Sequence, residues 1–183
     1  GLIAKVKEVC PKITFTKLPN EYQGTTSSGG KNDTSVSVDD SQANYLDVDG
    51  FGRSKLDFGF QVTDVPSAQY QCKVYIDQNQ DGKFEEGLAD VDGSGDADDS
   101  DDTGEVYYEG DVFTAGDGEQ NITPVKLSKL YFGLIQWKIV VYRKDNPDIH
   151  FTRTGCSVAK NQTGQKREIK VLQIMPDTDT NNK

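Results

Sequence analysis

Apolar and polar positions alternate with a period of two along most of this chain. Leu56, Phe58, Phe60 and Val62 are separated by Asp57, Gly59 and Gln61. Tyr70, Cys72, Val74 and Ile76 are separated by Gln71, Lys73 and Tyr75. Trp137, Ile139 and Val141 share a face opposite Gln136 and Lys138, and Ile13 and Phe15 flank Thr14. Successive side chains of a strand point to opposite faces, so each run predicts a half-buried strand. Ile169 and Val171 lead a further run over 168–174. Shorter strands are expected near 2–9, 34–39, 44–49, 105–114, 122–128 and 149–153. No 12-residue window keeps a helical apolar face.

About ten short strands separated by Gly, Asp and Asn clusters predict an all-β fold. The expected form is an antiparallel β-sandwich, Ig-like or jelly-roll-like, with long acidic loops; a flattened barrel is the rival. The domain is expected to span 1–165, with 166–183 as an exit strand or linker toward a following domain. Segments 20–33 and 85–104 read as long loops. Trp137, on an apolar face, reads as core.

Charge changes the picture. The chain of 183 residues carries a net −10, yet 77–111 holds fourteen acids and one base, Lys83, so the remainder is mildly basic. An acidic edge of this kind repels nucleic acid and anionic lipid and attracts cations. No run of 18 apolar residues is present, so direct membrane insertion is not expected. Cys10, Cys72 and Cys156 include no C-x-x-C pair, which argues against zinc. One disulfide with a free thiol and three separate thiols both remain open.

The sharpest motif follows the strand ending at Ile76. Asp77-Gln78-Asn79-Gln80-Asp81-Gly82 reads D-x-N-x-D-G, the front half of a calcium loop. Such a loop takes oxygen ligands at positions 1, 3, 5, 7, 9 and 12, with Gly at 6 for the sharp turn. Here those are Asp77, Asn79, Asp81, the carbonyl of Lys83, Glu85 and Leu88. Leu88 cannot ligate through its side chain, so a closing carboxylate must come from elsewhere, with Glu86 and Asp90 as candidates. The alternative is an Asn/Asp/Gly-rich hairpin turn without metal. Asp92, Asp96, Asp98 and Asp99 could add a weaker site, although a solvated loop explains them as well. Asp47-Val48-Asp49-Gly50 reads as a turn.

Catalytic chemistry finds little support: a Cys156–His150 dyad is conceivable only from residue types. Tyr45, Tyr107, Tyr108, Tyr131 and Phe132 flank loops and could form a carbohydrate or protein contact patch.

The run Val74 to Glu86 resembles the calcium loop of β-sandwich modules in Gram-positive surface proteins and adhesins, written as an apolar strand, D-x-N-x-D-G and a nearby acid. The runs 133–139 and 169–176 are similar to segments of large secreted proteins of Gram-positive gut bacteria. This resemblance, over about a third of the chain, implies secretion, a multidomain parent and no known activity. The expectation is therefore a non-catalytic, Ca²⁺-stabilised extracellular module. Its partners would be a glycan, a host or cell-surface protein, or other domains of the same polypeptide. A carbohydrate-binding module is the alternative.

Overall fold

The structure, a computed structural model, describes residues 9–22, 34–36, 44–78, 82–86, 88–89, 103–127, 133–160 and 169–171. Among these, β1 (Lys12–Lys17), β3 (Lys55–Thr63) and β9 (Gln120–Lys126) form one antiparallel sheet in the order β1-β3-β9. A second sheet orders β11 (His150–Ala159), β10 (Gly133–Arg143), β4 (Gln69–Ile76) and β7 (Val106–Glu109), with β8 (Phe113–Thr114) also on β4. Two small ladders pair β12 (Ile169–Val171) with β2 (Thr34–Val36), and β5 (Leu88–Ala89) with β6 (Thr103–Gly104). The two larger sheets pack face to face as an antiparallel β-sandwich.

The alternating runs dictate that packing. Leu56, Phe58, Phe60 and Val62 line the inner face of β3, and all are at most 1% exposed. Tyr70, Cys72, Val74 and Ile76 of β4, with Ile135, Trp137, Ile139 and Val141 of β10, face them from the other sheet. Phe58 and Trp137 meet edge to face across the interface, with ring centroids 5.2 Å apart. Each such side chain contributes roughly 1.5–3 kcal/mol by leaving water. Trp137 needs room and a polar partner: its Nε1 donates to Ser157 Oγ at 2.9 Å. Gly155 supplies the room, since a Cβ there would lie 2.2 Å from the indole.

An arch over 64–68 carries the chain from β3 in one sheet to β4 in the other. The start of β3 and the exit of β4 therefore lie at the same end of the sandwich. The register Trp137↔Ile76 and Tyr75↔Val106 brings the starts of β10 and β7 to that end too. At the opposite end Asp64 accepts from Val65 N at 2.7 Å, Tyr70 OH at 2.6 Å and Arg143 Nη1 at 3.1 Å. Arg143 also forks onto Asp145.

Several local expectations change. The strand expected over 44–49 reduces to an isolated bridge, Val48↔Ser54. Asp49 N bonds Arg53 O, and Asp49 Oδ1 accepts from Phe51 N and Arg53 N, closing a tight turn. Segment 85–104, read as one long loop, carries the β5–β6 ladder at its base. All three cysteines are free, with Cys72 and Cys156 buried and Cys10 exposed. The strand expected near 2–9 lies largely outside the described residues.

Candidate cation site at the acidic end

β4 delivers Asp77 one step past the buried Ile76, and the ladder continues through it: Asp77 N donates to Gln136 O at 3.1 Å. The side chain is therefore held at the sheet's end, only 6% exposed. Asp77 Oδ2 accepts from Gly82 N at 2.8 Å. This bond ties the first residue of the motif to its sixth and turns the chain sharply. Gly82 has φ +81°, a left-handed conformation that a Cβ makes costly.

Past Gly82 the chain runs along the outer face of the second sheet. Lys83 is exposed and Phe84 half-buried. Phe84, the apolar residue at position 8 of such a loop, is expected from the sequence to pin the loop to the core. Instead Lys138 Nζ sits 5.5 Å from its ring and 4.6 Å from that of Tyr75, so the pin is a cation–π contact outside the sheet. Glu86, a candidate closing ligand, turns to the same face. It accepts from Tyr75 OH and lies 3.8 Å from Lys73. Burial and this carboxylate push the Tyr75 hydroxyl pKa upward.

The residue that sequence reasoning missed is Glu105. It precedes β7, is 0% exposed, and reaches both flanks of the loop. Oε1 accepts from Gln78 N and Oε2 from Glu85 N, each at 2.8 Å. Burial first, then the neighbouring Glu85 carboxylate, push Glu105 up to about 8, against the two backbone bonds that favour its charged form. Glu85 itself keeps Oε2 buried with no hydrogen-bond partner. Nothing in local sequence marks Glu105: it lies 20 residues beyond Glu85 and enters through strand pairing.

Asp77, Glu85 and Glu105 are thus gathered around one loop. Asn79, Asp81 and Asp90 lie outside the described residues, as do Asp92, Asp96, Asp98 and Asp99. Among the described residues no three His, Cys, Asp or Glu side chains are grouped tightly enough to hold a metal ion. The donors present are hard oxygens, which suit calcium in kind, and a calcium shell of six to eight oxygens would need positions 79 and 81 as well.

Other candidates separate. His150 and Cys156 lie on one strand six residues apart, about 20 Å at strand rise, so they form no dyad. Burial pushes the Cys72 and Cys156 thiols up to about 11 and about 12, which keeps them protonated and unreactive at neutral pH. Tyr107 donates its hydroxyl to Lys126 O at 2.9 Å, and both it and Tyr108 pack against the core. Tyr45 is half-buried beneath Lys160 Nζ, 5.7 Å from its ring centre. Tyr131 and Phe132 lie outside the described residues. Phe51, which the alternation did not single out, is 72% exposed at the tip of the Asp49–Arg53 turn.

The class defined by fold and site is an antiparallel β-sandwich with an acid-lined loop at one end. No family model, curated protein or solved structure matches the chain.

Proposed function

We propose that the chain is a non-catalytic, calcium-stabilised β-sandwich module of a secreted or cell-surface protein, serving in spacing or adhesion. One observation carries this reading. The D-x-N-x-D-G loop turns on left-handed Gly82 with Asp77 as its internal acceptor, and a fully buried carboxylate, Glu105, stands behind it. Acids brought together at a sheet end repel one another, and a divalent cation relieves that repulsion. Calcium would be held by Asp77, Asn79, Asp81, the Lys83 carbonyl and Glu85. Its role would be structural.

Extracellular calcium modules bind at about 0.1–1 mM, so a few mM calcium would add on the order of 1–2 kcal/mol. The test is a melt of the chain in millimolar calcium and in EDTA, paired with calorimetric titration. Calcium should raise the melting temperature and give a binding isotherm. An unchanged melt with no heat of binding would sink the reading.

A second reading, carbohydrate binding, draws on Phe51. Its turn is fixed by Asp49, and the Arg53 guanidinium lies 5.3 Å from its ring, beside a ring face suited to sugar stacking. Binding on a glycan array that disappears in Phe51→Ala would favour it over spacing.

A further inference from the structure

We infer that Glu105 is the residue that positions the Asp77–Glu86 loop for its cation, taking over the closing task that Leu88 cannot perform.

In a 12-residue calcium loop the last position brings an acid back to the ligands supplied by the first half. Leu88 occupies that position, and its backbone pairs with Gly104 in the β5–β6 ladder. The next residue after Gly104 is Glu105. Pairing therefore sets an acid from a neighbouring strand beside the place where the loop's own acid is missing. The ladder also explains how the acidic stretch between 90 and 102 can be inserted without displacing the closure, because both ends of the insertion are clamped at 88–89 and 103–104.

The carboxylate then acts on both flanks of the loop at once. Gln78 N lies one residue after Asp77, and Glu85 N lies three after Gly82; each donates to a different oxygen of Glu105 at 2.8 Å. Hydrogen bonds to a carboxylate are about twice as strong as neutral ones. Two of them on one fully buried group fix the separation of the loop's two arms, and with it the placing of Asp77 and Glu85. Glu86 is committed elsewhere, to Tyr75 and Lys73. The identity of the cation rests on the calcium reading above, but the hold of Glu105 on the loop does not.

The test compares wild type with Glu105→Gln and Glu105→Asp. Gln keeps one acceptor oxygen and turns an amide donor toward the other N–H. Asp keeps the charge at a shorter reach. In EDTA at about pH 9, where Glu105 is charged, amide hydrogen exchange at Gln78 and Glu85 should quicken about tenfold or more in Glu105→Gln, the loss of one charge-assisted bond. Asp should fall between, and the amides of Phe58 and Phe60 should not move. Titrated with calcium chloride alone, Glu105→Gln should bind at least about tenfold more weakly. Should the Gln variant fail to fold, Glu105→Asp reads the same amides. Wild-type exchange at both amides overturns the inference, and so does quickened exchange with unaltered calcium affinity. Wild type that takes up no calcium, with exchange that still responds to Glu105, removes the calcium reading and leaves Glu105 as the loop's positioning residue.

Discussion

The two ends of the sandwich each bury a carboxylate and treat it in opposite ways. At the 64–68 end the Asp64 side chain is 2% exposed and meets Arg143 at 3.1 Å, with Tyr70 and its own neighbour's amide completing its bonds. At the other end Glu105 is 0% exposed, accepts two loop amides, and has another carboxylate, Glu85, beside it. The first arrangement is complete within the protein. The second concentrates negative charge where the chain's acidic segment begins, which suits it to a proton or a cation. A buried acid close to a base works as a brace, whereas one close to another acid is, on the proposed reading, the receptor.

The largest effect should come from breaking the brace. Arg143→Ala leaves the buried Asp64 carboxylate without its counter-charge, and the melting temperature should fall clearly. A loss below about 1 kcal/mol in urea unfolding would mean that Asp64 is less committed to Arg143 than the geometry indicates.

Next in size is the response of the receptor end to pH. The Glu105 pKa is raised in the fold, from an ordinary 4.5 to about 8. Between those values the folded chain keeps a proton that the unfolded chain has released. Stability is thus fully present below about 4.5 and is lost as pH rises toward 8. In EDTA stability should fall steadily from about pH 5 to 8, read from urea midpoints. The slope should vanish in Glu105→Gln. Retention of the full slope in that variant would assign it to other groups.

Calcium should act on one end only. A gain of about 1–2 kcal/mol at millimolar calcium is expected in wild type, and the same gain in Arg143→Ala, because distant sites without shared partners add. A calcium gain that shrinks in Arg143→Ala would show that the two ends are coupled through β4 and β10.

The difference between the ends also explains what could be read from sequence. The strands over 55–63, 69–76 and 133–143 were legible because burial on one face writes a period of two into the residues themselves. The burial of Trp137 followed from the same pattern. Asp77 and Gly82 were legible because a tight turn needs its acceptor and its left-handed residue within a few positions. Glu105 was not: its bonds reach 20 and 27 residues back and depend on β4–β7 and β5–β6 pairing, which leaves no local mark. The 44–49 segment misled for a related reason. Tyr45, Asp47 and Asp49 alternate with Leu46 and Val48 as in a strand, yet Leu46 N bonds Val158 O beside β11 and the chain then enters the Asp49–Arg53 turn. A short alternation records which side chain is buried, not whether the backbone has a ladder to join.

The smallest effect tests whether the turn belongs to the receptor or merely to the fold. Gly82→Ala places a Cβ in the left-handed region, at a cost of about 1 kcal/mol. If the turn is only a hairpin, that cost should be the same in EDTA and in calcium. If it shapes a cation site, the strain works against the geometry that the cation selects, and the variant should lose part of the calcium gain as well. Paired melts of wild type and Gly82→Ala, each with and without calcium, separate the two cases. An equal penalty in both conditions, with wild type still responding to calcium, would place the cation outside the Asp77–Gly82 turn. A penalty that grows in calcium ties the Asp77–Gly82 bond to the receptor itself.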